Sequence, residues 1–529
     1  IGGMTMAIEL KRMGVSNFTI LEKAGEVGGT WRDNIYPGCA SDVPIHFYCL
    51  STELRADWTY SHAFQPVIHE YWLQLARKYD LYSHIIFNRK VVSAQWDIGT
   101  QKYDIATEDL DGTLIRLTAT ILVSATGILE IPRFPDIPGI SSFRGDYFHS
   151  ACWNYDISLV GKRVAVIGSG ASATQFVPII SEDPTVQVTQ FCRSPSWILP
   201  PVRTMHSPAQ KWFFGHVPLY LRTYRNLLFL WVALTLSSWN IRLTCLLQNE
   251  MLYFAIFENQ TSKYMIESTP AQYADYLIPS DPNYKLGCKR LLYDTNYLVS
   301  LARPNVSLVY DPIESIGEEG ILTKDGSQVA ADVIIYATGY ITDDYPINIR
   351  GTGETISEYY RARGGPTAYK GTCIPTFPNF FTLSGPNTTT GHTSVLFAEE
   401  VQVQYILQLI KPVLAGDILS MEVTAEASDT YNRDIQRRLS SCVWSNGSCV
   451  SWYKTGMNGK IHALFPGYMT LFWWWMRRPN WSHYKVVTVG RWEPRRSIHG
   501  AICAALWGWS GMGLAGFAYL GWRRFVRTT

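Results

Sequence analysis

Residues 163–180 constrain this chain more than any other stretch. Arg163-Val-Ala-Val-Ile167 is an apolar strand after its first residue. Gly168-Ser169-Gly170-Ala171-Ser172-Ala173 follows at once, and an apolar helix begins at Thr174. A strand feeding a G-x-G-x-x-A turn and then a helix points bare glycine backbone and a helix N-terminus at one place, which suits a pyrophosphate. The next strand, residues 186–191, is followed by Arg193 and Ser194 rather than by an acid. An arginine there matches a ribose 2′-phosphate, so the unit is expected to bind NADP.

A second unit of the same kind begins the chain. Ile1-Gly2-Gly3-Met4 leads into an amphipathic helix, and a strand at 18–22 ends in Glu22. Gly3 stands as the last glycine of a G-x-G-x-x-G turn, with Glu22 about 20 residues on, where a carboxylate holds a ribose hydroxyl. The first strand and first two glycines are missing, so the expectation is an FAD site in a chain truncated at its N-terminus. Ile121-Leu-Val-Ser-Ala-Thr-Gly127 and Val333-Ile-Ile-Tyr-Ala-Thr-Gly339 read as the crossings between a nucleotide domain and its host. The expected fold class is α/β, with two Rossmann-like dinucleotide-binding domains, a helical insert and a C-terminal transmembrane helix. Its parts are FAD domain 1–135 and 341–425, linker 136–160, NADP domain 161–340 with an insert at about 205–265, and a substrate-side segment 426–490.

Composition narrows the function. A chain of 529 residues is too long for one core. Lys plus Arg number 46 against 44 Asp plus Glu, which argues against an electrostatic nucleic-acid binder. The ten Cys form no CxxC pair and no metal-ligand spacing, so they read as reduced thiols and no metal is expected. Gly28-Gly29-Thr30-Trp31 lacks the Cys-x4-Cys pair of a flavin disulfide reductase, with Tyr36 where the second Cys would stand. A flavin and a nicotinamide in one chain then point to other redox chemistry.

Three motifs resemble the flavin-dependent monooxygenases of Baeyer–Villiger type. The fingerprint F-x-G-x-x-x-H-x-x-x-W stands as Phe143, Gly145, His149 and Trp153, between the two nucleotide units. G-G-x-W-x-x-x-x-Y-P-G-x-x-x-D stands as Gly28 to Asp42, and Gly287-Cys288-Lys289-Arg290 is the third. The resemblance implies that Gly29, Thr30, Trp31, Asp33, Asp42 and Tyr48 line FAD, and that the backbone at Val91 touches its adenine. It implies that Ala40, Ser41 and Asp42 face the nicotinamide, that Lys289 meets the 2′-phosphate, and that Arg290 reaches the flavin. A guanidinium keeps its charge, so Arg290 suits an anion formed during oxygen activation, with Asp42 orienting it. Trp452 in Ser451-Trp452-Tyr453 resembles the family tryptophan over nicotinamide and substrate. The implied activity uses FAD, NADPH and O2 to convert a ketone to an ester or lactone. Resemblance to fungal secondary-metabolism enzymes implies a hydrophobic polyketide or terpenoid ketone. Two alternatives stay open: heteroatom oxidation or hydroxylation by the same flavin chemistry, and an inactive remnant.

Two apolar stretches lie outside these motifs. Residues 226–241 are uncharged but short for a span, and read as a lid or insert. Residues 497–522 contain no Asp, Glu, Lys or Arg between flanking arginines, long enough to cross about 30 Å of hydrocarbon. They are expected to anchor the protein in an internal membrane such as the endoplasmic reticulum, with the catalytic part facing the cytosol. Phe472-Trp473-Trp474-Trp475 either rests on that membrane or walls the substrate site.

Overall fold

The computed structural model describes residues 1–235, 248–391, 393–490 and 492–493. Its central sheet has five parallel strands in the order Val306–Val309, Gln187–Phe191, Arg163–Ile167, Val333–Tyr336, Asp146–His149. Val164, Ala165 and Val166 pair with Val333, Ile334 and Ile335, and all six are buried. Such continuous apolar runs are what a parallel sheet covered on both faces requires. The strand Arg163–Ile167 feeds the helix Ala171–Ile180 through the glycine turn, as the sequence predicts.

The other half of the molecule is built from smaller pieces. Ile20–Leu21 pairs in parallel with Ile85–Ile86, and Leu122–Ser124 with Phe380–Thr382. The helix Gly2–Arg12 packs against both pairs: a Cβ on Gly3 would lie 3.7 Å from Ala125 and 3.9 Å from Ile20. A mixed four-stranded sheet, Asn348–Arg350, Lys90–Asp97, Lys102–Glu108 and Leu114–Ala119, covers a separate aromatic core around Trp96, Tyr103, Tyr359 and Phe380. The long helix Val395–Leu414 runs beneath Gly2–Arg12.

Helices Pro208–His216, Tyr220–Thr235 and Gln248–Ser268 stand where an insert was expected. Arg225, a buried cation on the second of these, lies 3.6 Å from Glu400 on Val395–Leu414 and fastens the insert to the FAD side. Trp475 packs on Phe465 and Tyr431, whereas Trp473 and Trp474 are exposed.

Two expectations are corrected. The span 497–522 lies outside the described residues, and among those described no helix is long and apolar enough to cross a membrane. The fold is therefore stated as mixed α/β without the membrane helix, and the anchor, with the cytosol-facing endoplasmic-reticulum placement inferred from it, is withdrawn. The second correction concerns the thiols. Cys288 and Cys449 form a disulfide across 161 residues, which no local spacing announces.

Candidate active site

The loop after Trp31 brings the two halves together. Gly38, at φ +80°, packs so closely that a Cβ would come 2.6 Å from Ile179 and 2.7 Å from the Gln175 carbonyl. The Tyr36 hydroxyl donates to Gln175 Oε1 (3.0 Å), and the Gln175 amide donates to the Ala40 carbonyl (3.2 Å). Ala40, Ser41 and Asp42 are thereby laid across the N-terminal half of helix Ala171–Ile180. A cavity of about 260 Å³ opens there, lined by Ser41, Asp42, Ala171, Thr174, Arg203 and Tyr293 among others.

Arg290 meets Asp42 in a two-pronged pair, Nε to Oδ2 at 2.8 Å and Nη2 to Oδ1 at 2.6 Å. Such a pair fixes the plane of the guanidinium as well as its place. Burial works most strongly against the charge, but the attraction and hydrogen bond of Asp42 together with the fields of Tyr453 and Tyr48 outweigh it and raise the Arg290 pKa. About a quarter of the side chain, 27 %, remains exposed, so the cation is still accessible. Tyr48 lies close by and accepts from the Trp31 indole at 3.2 Å.

On the nicotinamide-nucleotide side, Gly168 at φ +118° lies against the Ala337 backbone with no room for a side chain. Gly170 is the reverse: a Cβ would touch nothing within 4 Å. Helix Ala171–Ile180 has no side-chain cap at Gly170, so its first N–H groups are free for an anion. Ser169 lies between the two glycines, and Ser172 lies within hydrogen-bond reach of Tyr36. Ala173 is buried, and Thr174 bonds back to Ala171. Lys289 donates to the Ser194 hydroxyl at 2.7 Å, with the exposed Arg193 near it. Burial, then repulsion from Arg193, lowers the Lys289 pKa to about 8. Two cations forced together with no carboxylate partner among the described residues are suited to a phosphate.

On the FAD side, Gly28 at φ +124° touches His69, while Gly29 at φ +51° faces open space before the short helix Thr30–Asp33. Glu22 caps the turn through Ala24 N (3.0 Å), and its backbone pairs with Arg89, which places Val91 nearby. At the start of Val395–Leu414 the Ser394 hydroxyl is buried with no hydrogen-bond partner among the described residues, and so is the Tyr453 hydroxyl. Buried hydroxyls are normally paired, so a polar group fits there. The open glycines, the uncapped helix and these hydroxyls fit two dinucleotides.

The fingerprint residues hold the linker rather than touch the cavity. A Cβ on Gly145 would collide with the Asp332 carbonyl and come 2.6 Å from the Phe143 ring. His149 ends the edge strand and accepts from Ala151 N at 3.1 Å through Nδ1. Burial lowers its pKa to about 4, only partly opposed by the Gly339 backbone, so it stays neutral. Trp153 packs on Phe148 and Phe176. The Trp452 ring lies on Tyr453 and its carbonyl accepts from Thr342 (3.1 Å). Tyr453, not singled out in the sequence, is the neighbour whose field reaches Arg290. Two other residues escaped notice. Arg32 grips both Glu22 (3.1 Å) and Asp33 (2.8 Å), and Gln175 joins the halves. Arg32 was legible as the one cation inside an acidic motif, whereas nothing in the sequence marked Gln175.

The Flavin-binding monooxygenase-like family profile matches residues 17–240. A Baeyer–Villiger monooxygenase of Streptomyces coelicolor is 35% identical over 498 residues, covering 92% of this chain and 91% of its own. The chain belongs to the Baeyer–Villiger monooxygenase family. The FAD-binding monooxygenase ktnD of Aspergillus niger is 33% identical over 86% of this chain and 75% of its own. Among solved structures, OTEMO in complex with FAD and NADP superposes with a TM-score of 0.76 at 25% identity, over 92% of this chain and 97% of that one. The similarity to these family members covers most of the chain, so the fold is shared with them.

Proposed function

We infer that this chain is an FAD-containing, NADPH-consuming monooxygenase that inserts one oxygen atom of O2 into a ketone, with Asp42 and Arg290 at the oxygen-transfer site. The observation that carries the residue assignment is the two-pronged Asp42–Arg290 pair, with Asp42 lining a cavity at the N-terminal half of helix Ala171–Ile180. Bound FAD, reduced by NADPH, supplies the activation of O2.

The protein's own groups orient and hold charge. Asp42 keeps the guanidinium plane fixed, and Arg290 neutralises negative charge on the ketone oxygen as a neighbouring carbon migrates. Lys289, Ser194 and Arg193 take the 2′-phosphate, while Gly168–Thr174 backbone takes the pyrophosphate. Ala40 and Ser41 lie along the nicotinamide side. Glu22 holds the FAD ribose, with Arg32 keeping its carboxylate in place, and Thr30, Trp31, Asp33 and Tyr48 line the flavin. Tyr293, Trp452 and Tyr453 supply an aromatic wall that supports a hydrophobic ketone, of polyketide or terpenoid kind, from secondary metabolism. His149 is neutral and away from the cavity, so it acts as a linker residue and not as a proton carrier.

The test is product identity. Purified protein with NADPH should convert cyclic ketones to lactones, each carrying one labelled atom from ¹⁸O2. A protein that oxidised thioethers or amines and left every ketone untouched would sink the ketone assignment.

A further inference from the structure

We propose that the Cys288–Cys449 disulfide is a positioning element of the oxygen-transfer site. It ties the loop carrying Arg290 to the loop carrying Trp452 and Tyr453, so opening it separates NADPH consumption from ketone oxygenation. The proposal rests on the reading of Arg290 as the residue at the reacting oxygen.

Neither loop has a strand ladder to hold it. Residues 283–290 turn through local bonds, Tyr284 N to Asp281 O and Cys288 N to Lys285 O, with Gly287 at φ +85°. Residues 446–454 do the same, Cys449 N to Asn446 O and Lys454 N to Ser451 O. Asp42 secures only the tip of the Arg290 side chain. The bond to Cys449, at a Cα separation of 5.2 Å, inside the ordinary range for a disulfide, ties the backbone two residues earlier covalently, beside the hydrogen bonds from Trp197 Nε1 to the Tyr284 carbonyl (3.2 Å) and from Leu286 N to Glu258 (3.4 Å) that hold the loop to the rest of its own half. Both cysteines are fully buried. Hydrogen bonds run parallel to it: the Trp444 indole donates to the Gly287 carbonyl at 2.9 Å, and Ser448 lies within hydrogen-bond reach of Asp281. Cys449 lies three residues before Trp452 and four before Tyr453, which is within electrostatic reach of the Arg290 charge. The covalent bond therefore sets the gap between the cation and the aromatic wall across which a ketone must sit. A shift on the order of 1 Å in such a gap can cost about a hundredfold in rate.

The bond opens by exchange with a dithiol. One thiolate of dithiothreitol attacks a protein sulfur and the other protein sulfur leaves as thiolate. The second dithiothreitol thiolate then closes its own cyclic disulfide, and two protein thiols take up protons. The first measurement is peptide mapping of holoenzyme denatured and alkylated without reductant, which should yield a linked peptide containing Cys288 and Cys449. The second compares wild type with Cys288→Ser/Cys449→Ser. FAD content and flavin reduction by NADPH should stay within a few-fold. Ester formed per NADPH should fall on the order of tenfold to a hundredfold, with hydrogen peroxide making up the balance. Wild type with both thiols shown free should behave like the double variant and recover on reoxidation, whereas the double variant should ignore dithiothreitol. Absence of the linked peptide, or unchanged coupling in the reduced enzyme, overturns the proposal. If the double variant fails to fold, the reduced wild type decides. Failure of wild type to oxygenate any ketone would instead condemn the functional reading and leave the linked peptide standing.

Discussion

A buried cation keeps its value for catalysis only if its partner neither neutralises it fully nor lets it wander. Arg290 meets that condition through Asp42, which takes Nε and Nη2 and leaves Nη1 free of that pair. Arg290→Ala should leave FAD bound and reducible, yet lower oxygenated product roughly 100- to 1000-fold, the usual cost of removing one preorganised charge donor. Consumed NADPH should then appear as hydrogen peroxide, and near-normal ester yield would remove Arg290 from the reaction. Lys289 gives a pH signature. Its pKa in the free protein, lowered to about 8 by burial and by Arg193, means that the phosphate-binding charge is present below that pH and lost above it. Bound phosphate favours the protonated amine, so the Kd for NADPH should rise by up to about tenfold per pH unit above 8, until the raised pKa of the complex is passed. NADH, lacking the 2′-phosphate, should show little change over the same range. Parallel curves for the two nucleotides would place the phosphate elsewhere. These residues were legible because each sits inside a spaced motif. Tyr453 and the Cys288–Cys449 bond were not, since loops far apart in sequence bring them to Arg290.

Helix Ala171–Ile180 shows how an element can be tuned for a ligand at the cost of its own stability. Gly170 gives the helix no side-chain cap, and its φ of −82° and ψ of −172° suit any residue. Gly170→Asp should therefore strengthen the helix by a few tenths of a kcal/mol through capping. The same carboxylate would occupy the N–H groups and repel the pyrophosphate, so NADPH affinity should drop at least about tenfold. Thermal unfolding and nucleotide titration of the one variant should move in opposite directions, and tighter NADPH binding would show that the turn does not hold the pyrophosphate. Strand, turn and helix were all readable here because apolar run, glycine spacing and helix follow without interruption. The FAD side was read less well: its parallel pairs are short and its four-stranded sheet is assembled from 90–119 and 348–350, a pairing of distant segments that no periodicity reveals.

At the scale of the whole molecule the site exists only where two nucleotide-binding halves touch, and one polar side chain carries much of that contact. Gln175 accepts from the Tyr36 hydroxyl (3.0 Å) and the Ala40 amide (3.4 Å) and returns a bond to the Ala40 carbonyl (3.2 Å). Tyr36 is buried, at 8 % exposure, so losing this hydrogen bond costs about 1 kcal/mol even with Ser172 within reach of the hydroxyl. Gln175→Ala keeps the helix, because alanine is its best former. The variant should bind FAD normally and be reduced normally by dithionite, a reagent that ignores the nucleotide loops. Reduction by saturating NADPH should slow about tenfold, the rate equivalent of roughly 1.4 kcal/mol of lost alignment. Rapid-mixing measurement of flavin bleaching separates the two. Equal slowing with both reductants would mean that the FAD half itself had been damaged. No slowing would mean that Gly38 and the Asp42–Arg290 pair suffice to hold the halves in register. Gln175→Glu sharpens the test, because its carboxylate can still accept from Tyr36 and the Ala40 amide but, when ionised, cannot donate to the Ala40 carbonyl. Its NADPH reduction rate should fall between wild type and Gln175→Ala.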